Sequence, residues 1–457
     1  MLIIPKTNVS EIIWPPISDP QASILLSLLY QLQQSQWWSS ADIQSQQFRQ
    51  LNELMAHVIK TVPYYQQSLR DVGFSTHEIF TPMNWSHIPI LNRSSLIEYA
   101  KQIKSFGIPP EHGRIAGKKT SGSSGNPVSV LGTEITALFW YAFTLRDHLW
   151  HERDVSGKLV AIRSGRDAED PNGVYKQPSW GIASNLVFNS GPSILFYHLL
   201  PIERQAELLL EHDPDYLLVY PDVVLRLALF FRKHKLRLPN LKQIMTYGEA
   251  TTPEVRTACS KVWGVETKDT YSAEEVGYIA LQCPETDNYH IQSESLLVEV
   301  IDDEGEPCGP GEIGRVILTA LHNFALPLIR YEIGDYAEVG KPCPCGRGLP
   351  TLKRILGRKR NQTILPDGRR LWPKLSSDIW SGINEIDCIQ IKQKILNHLE
   401  IGVVTSTPLS LINEDKLTRS LHQVFGHPFE CTYTYLSDIP RHANGKFEPF
   451  ISELTDE

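Results

Sequence analysis

The segment Lys119-Thr120-Ser121-Gly122-Ser123-Ser124-Gly125-Asn126-Pro127-Val128 decides how the rest of the chain is read. Small residues this closely spaced leave backbone N–H groups and hydroxyls free to surround phosphate oxygens. A flexible linker could share the Gly/Ser composition, but it has no reason to open on Lys-Thr and close on Pro-Val ahead of a strand. Nor is this a Walker A loop. Gly113-Arg114-Ile115-Ala116-Gly117-Lys118-Lys119-Thr120 has one residue too few between its glycines, and Lys119 separates Lys118 from Thr120.

Outward from this loop the chain reads as α/β. Upstream, to about Gly73, apolar residues recur at helical spacing in Ala22–Leu29 and Phe48–Leu54. Downstream, Lys158–Ile162 and Tyr216–Tyr220 read as short buried strands. Asp222–His234 and Pro253–Trp263 read as helices opened by Asp, Thr or Pro. Strands alternating with helices predict parallel βαβ units. Beyond Thr270 the runs Leu296–Ile301 and Gly314–Thr319, with an acidic turn at Asp302–Gly305, predict a β-rich subdomain. A basic turn after Gly357 opens a last stretch read as a small hinged α+β domain. The expected division is therefore 1–356 and 357–457.

With 457 residues, 41% of them apolar, there is material for two to four domains. Lys plus Arg number 44 against 52 Asp plus Glu, a net charge of -8. That balance argues against nucleic acid as a partner, which needs a basic surface. The longest apolar stretch, Ile135–Leu145, is broken by Thr136 and Thr144 and stopped by Arg146. It falls short of the roughly 18 residues that suggest a membrane span. Met1–Lys6 has no signal-peptide pattern, and seven cysteines in so long a chain are no disulfide scaffold. A cytoplasmic protein, monomer or homodimer, is the expectation.

Further motifs follow in order. Thr246-Tyr247-Gly248-Glu249-Ala250 sits between a strand and a helix, the position of a ligand loop at the carboxyl edge of a parallel sheet. Asp269-Thr270-Tyr271-Ser272-Ala273-Glu274-Glu275-Val276-Gly277 sets carboxylates beside an aromatic ring. Leu328-Ile329-Arg330-Tyr331-Glu332-Ile333-Gly334-Asp335 ends in a carboxylate able to bind a diol. Ile355-Leu356-Gly357-Arg358 opens the hinge, and Pro440-Arg441-His442-Ala443-Asn444-Gly445-Lys446 presents a lysine on a Gly turn. Taken together and in this order, they resemble the adenylate-forming superfamily of acyl-CoA synthetases, nonribosomal adenylation domains and luciferases. The nearest branch is similar to the phenylacetate-CoA ligase-like family, with its capsule-biosynthesis and acid–amine ligase relatives.

The resemblance, from about Arg114 to Lys446, implies a large ATP- and acid-binding domain and a mobile C-terminal one. It implies a phosphate loop at Thr120, Ser121, Gly122, Ser123, Ser124 and Gly125, with Gly248, Glu249 and Ala250 flanking adenine. By the same resemblance Tyr271 packs on adenine, Glu275 binds magnesium, Asp335 holds the ribose with Arg358 assisting, and Lys446 is the catalytic lysine. Two positions depart from the pattern. Glu274 replaces a hydroxyl that often contacts phosphate, where an added carboxylate would repel. The hinge position, commonly Asp or Lys, is Arg360, and Leu365–Arg370 replaces a Gly-rich pantetheine track.

Cys283, His290, Cys343 and Cys345 form a Cys₃His set, a common structural zinc composition. Some relatives of the resembled family carry a similar set. Four protein ligands would leave no open position, so the metal would be structural. Cys259, Cys308, Cys388 and Cys431 read as ordinary thiols. For the acid, Phe139, Trp140, Tyr141, Trp180 and Phe188 lie between the phosphate and Gly-Glu-Ala loops. Tyr141 and Trp180 are taken as the contacts, Trp180 first because Gly181 beside it permits close backbone approach.

The expected function is an ATP- and Mg2+-dependent carboxylic acid ligase working through an acyl-adenylate. CoA is the first choice of acceptor for an aryl or similar acid. An amine acceptor is the alternative, and a carrier-protein thiol stays open. A catalytically dead scaffold is a third reading. Retention of Asp335, Glu275 and Lys446 together speaks against it.

Overall fold

The computed structural model describes residues 4–75, 77–119, 128–164, 173–383, 385–439 and 447–454. A mixed sheet of twelve strands among these residues runs through most of the chain. One half is parallel: Ser193–Tyr197, Leu159–Arg163, Tyr216–Val219, Gln243–Tyr247 and Glu266–Ala273 lie side by side in that order. Leu159–Ile162 are all buried, as befits a central strand covered on both faces. Ile202–His212, Pro221–His234 and Pro253–Trp263 pack Leu209, Leu227, Phe231 and Cys259 into one core. Pro20–Ser35, Glu134–Trp150 and Ile182–Val187 share another, around Leu25, Phe143 and Val187.

These elements follow from local signals. Pro253–Trp263 starts on Thr252, whose side chain accepts from the Val255 N–H. It ends on Gly264 at φ 72°, a left-handed cap that glycine adopts without strain. The apolar run Ile135–Leu145 lies in Glu134–Trp150, capped by Thr133. No described helix is long and apolar enough to cross a membrane.

Glu266–Ala273 is where the sheet changes character. It pairs in parallel with Gln243–Tyr247 and antiparallel with Gly277–Gln282. The antiparallel half continues through Tyr289–Ile291, Thr351–Arg358, Tyr331–Val339, Ile313–Ala320 and Leu296–Ile301. Its inner face and the helices Ser40–Thr61 and Pro63–Asp71 enclose a core that includes Leu51, Tyr65, Val316 and Tyr331. Thr351–Arg358 keeps Gly357 and Arg358 within the large sheet, paired with Tyr336 and Asp335. A separate four-stranded sheet, Glu430–Leu436, His398–Thr405, Ile386–Ile395 and Phe450–Ser452, carries the helix Leu411–Phe425. Among the described residues, its core draws on those between Leu365 and Phe450.

Candidate active site

The phosphate-loop residues Thr120, Ser121, Gly122, Ser123, Ser124 and Gly125 and the lysine Lys446 lie outside the described residues. The ribbon flanking the loop is described: Ala116–Lys119 pairs antiparallel with Ser129–Gly132, with Lys119 opposite Ser129. Asn323 donates to the Leu131 carbonyl at 2.8 Å, fastening the ribbon to the β-rich half.

At the carboxyl edge of the parallel strands, Gly248 turns the chain at φ 79° out of Gln243–Tyr247. The loop's base is rigid: Thr246 Oγ1 lies 2.7 Å from Thr251 Oγ1 and donates to buried Asp269 at 2.8 Å. Glu249 Oε2 accepts the Asp222 N–H at 3.4 Å, at the start of Pro221–His234. Its Oε1 accepts the Phe447 N–H at 2.8 Å, so this loop touches the C-terminal unit.

One strand further on, the Tyr271 hydroxyl donates to Asp335 Oδ2 at 2.8 Å, and Arg358 Nε stands 3.7 Å from Oδ1 of the same carboxylate. Asp335 and Arg358 are register partners on adjacent strands, so their proximity is built into the ladder. Burial and the Asp335 charge hold the Tyr271 hydroxyl well above the usual phenol range, which keeps it a donor. Two residues past the strand that carries Tyr271, Glu275 has a side chain only 10% exposed, 3.7 Å from Arg93 Nη1. Burial raises its affinity for a proton against the pull of Arg93 and Arg358. Glu274 beside it is exposed, where solvent screens its repulsion of phosphate.

Arg93 escaped sequence reading. It opens the short helix Arg93–Glu98 and carries no motif. It reaches the site because Leu91 bridges to Tyr331, its N–H bonding the Arg330 carbonyl at 3.0 Å. Arg330 is held at φ 44° by an ion pair with Glu299 at 3.0 Å and a bond to the Ile88 carbonyl at 2.6 Å. The departure from ordinary backbone geometry thus sits next to the strand bearing Asp335.

The aromatic residues divide. Trp180 donates its indole N–H to the Gly157 carbonyl at 2.7 Å and meets His148 and Tyr216 edge-on at 5.3 and 5.1 Å. Tyr141 packs at the margin of the Leu25–Phe143 core, and Phe188 is buried in it. Trp140 instead lies over Gly277, the residue that turns the chain back after Glu275, and packs on Tyr278 at 4.9 Å. Phe139 stacks on His322 at 4.1 Å, whose pKa burial lowers to about 4.

Cys283, His290, Cys343 and Cys345 converge with their ligand atoms all within 4.8 Å of one another. The Cys283 and Cys343 sulfurs are 3.8 Å apart, and Cys345 Sγ is 3.3 Å from His290 Nε2. His290 Nδ1 faces the Leu349 carbonyl at 3.2 Å. That contact favours a proton on Nδ1 and a lone pair on Nε2, as a metal ligand needs. Arg347, in the same turn, lies 4.8 Å from both the Trp37 and Trp150 rings and donates to Gln36 at 3.0 Å.

Known proteins bear on this geometry. Residues 364–453 match the CapK C-terminal domain family. A phenylacetate-coenzyme A ligase of Thermus thermophilus is 25% identical over 79% of this chain and 81% of its own. A 2-hydroxyisobutyryl-CoA ligase in the postadenylation state superposes with a TM-score of 0.71 at 16% identity, covering 92% of this chain and 91% of that one. In its thioesterification state the TM-score is 0.59 at 18% identity, over 92% and 91% of the two chains. The fold is that of the adenylate-forming enzymes, and the chain is an AMP-forming ligase of that class. Within the class its homologues include phenylacetate-coenzyme A ligases, which match it over most of its length.

Proposed function

We propose that this ligase activates a small carboxylic acid, aryl or similar, as its acyl-adenylate and passes the acyl group to the thiol of coenzyme A. The observation that carries the reading is the convergence of Tyr271, Asp335 and Arg358, with Glu275 on the turn that follows Tyr271. An acceptor carboxylate, an aromatic face and a guanidinium suit a ribose diol and a purine. In the first step a carboxylate oxygen of the acid attacks the α-phosphorus of ATP, and the bond to pyrophosphate breaks. Charge gathers on the phosphate oxygens, where backbone N–H groups of residues 120–125 and the Lys446 ammonium would stabilise it. Glu275 is the residue that would hold magnesium, which supplies charge neutralisation at the phosphates. Its burial suits a group meant to face a dication rather than water.

Cys283, His290, Cys343 and Cys345 would hold a structural zinc, since thiolates and imidazole are its usual tetrahedral set. A specific feature also favours the amine-acceptor reading. Thr363–Ile364 and Arg370–Leu371 form a hairpin whose Arg369 is spent on Asp367 at 2.7 Å. A charged, self-paired turn thus stands where relatives with a pantetheine track place glycines. Hydroxylamine trapping across a panel of aryl and alkyl acids tests the first half-reaction. Formation of hydroxamate and pyrophosphate with at least one acid is expected, and none with any acid would contradict the proposal.

A further inference from the structure

Glu249 belongs to the loop expected to flank adenine, yet its contacts run elsewhere. One carboxylate oxygen accepts the Phe447 N–H at 2.8 Å and the other the Asp222 N–H at 3.4 Å. Phe447 N belongs to the peptide bond that joins it to Lys446. Glu249 therefore grips the amide next to the lysine proposed for catalysis.

Both ends of this grip are anchored. On the side of Glu249, Thr246 and Thr251 tie the loop's base to each other and to Asp269. On the side of Phe447, Arg360 of the hinge holds Glu448 through Nη2 at 2.9 Å and Nε at 3.0 Å. Gln390 donates to the Glu448 carbonyl and Asn361 to the Phe450 carbonyl, both at 2.9 Å. Phe450 is buried in the core of the small unit. The segment from Phe447 is thus rigid against the C-terminal sheet, and Glu249 is the point where it meets the large domain's ligand loop.

We propose that Glu249 is a positioning residue, a clasp that holds the C-terminal unit in the pose that forms the adenylate. This deepens the adenylation reading and rests on it. Bonds to a carboxylate are stronger than neutral ones, and two backbone donors fix its orientation. Any rotation that carries the small unit away for acyl transfer must part Phe447 from Glu249. The clasp then favours the first half-reaction and has no part in the second.

The test separates the two half-reactions in the full-length protein, using whichever acid the parent adenylates fastest. Hydroxamate formation reads the first; CoA added to preformed adenylate reads the second. Glu249→Ala should slow adenylate formation roughly 10- to 100-fold, the weight of one hydrogen bond to a charged group. The rate from preformed adenylate should stay near parental. Glu249→Gln keeps an acceptor oxygen and the side chain's size, and should fall between. Hydrogen exchange in peptides reporting the Phe447 amide should show protection lost in the alanine variant. Unchanged adenylation, or equal losses in both half-reactions, would overturn the clasp, as would a glutamine variant slower than the alanine one. A parent that adenylates no acid would instead refute the adenylation reading. Exchange at Phe447 would then decide the clasp alone.

Discussion

The Tyr271 hydroxyl bonds Asp335 at 2.8 Å although three strands lie between theirs in the sheet. Four strand spacings of about 4.8 Å would put them roughly 19 Å apart in a flat sheet. The contact therefore requires the antiparallel half to curl, which its shared core with Tyr271, Ile279, Leu318 and Ile333 accounts for. Curling brings an aromatic ring and a diol-binding carboxylate to one place.

If Asp335 holds the ribose, Asp335→Ala should raise the KM for ATP roughly 10- to 100-fold, as expected for a lost charged hydrogen bond. Tyr271→Phe keeps the ring and loses only the donor, so a rise of a few-fold is expected. Steady-state kinetics on both variants check this. Values within twofold of the parent would remove Asp335 from the ATP site.

Lys446→Ala should leave ATP binding nearly intact while slowing adenylate formation on the order of 10²–10³-fold, the usual loss when one transition-state charge contact is removed. Single-turnover pyrophosphate release reads the step directly. A parental rate would show that the lysine has another role.

Protein made with zinc available should carry about one zinc per chain, and Cys343→Ser should lower both metal content and Tm. The rings of Trp37 and Trp150, each 4.8 Å from Arg347, give an optical readout. Chelation should shift their fluorescence along with the loss of metal. Metal-free protein of undiminished Tm would contradict the assignment.

Glu275 has its pKa raised by burial, so in the folded state it takes up protons that the unfolded chain has already released. The sign follows: its ionisation destabilises the fold as pH rises above about 4.5, the usual glutamate value. Glu275→Gln should therefore raise Tm at pH 7 and lose that advantage as the pH falls toward 4.5, while adenylation collapses. A glutamine variant less stable than the parent at neutral pH would show that the Arg93 contact outweighs burial.

Local chemistry made part of this molecule legible in its sequence. Pro253–Trp263 reads end to end, because Thr252, Pro253 and Gly264 punctuate it. Two of the parallel strands, Leu159–Arg163 and Tyr216–Val219, read as short apolar runs, whereas Glu266–Ala273 is mostly polar and carries no such signal. The four metal-type ligands stood out because few side chains bind zinc, although His290 and Cys345 meet only through pairing of distant strands. Arg93 was invisible, since its approach to Glu275 depends on a bridge between Leu91 and Tyr331. Glu249 was read by its motif, and its bond to Phe447, 198 residues away in the chain, has no local signature. Trp180 is singled out by Gly181 beside it, while the bond from its indole N–H to the Gly157 carbonyl has no local signature.

The most direct test of the account is the stoichiometry of AMP release with an acid that the enzyme adenylates. Incubation with ATP, magnesium and that acid should release AMP slowly until coenzyme A is added. Free thiol should then disappear one for one with AMP, and an amine in its place should have no effect. AMP release that ignores coenzyme A and follows the amine would contradict thioester formation and establish the amide-forming reaction instead.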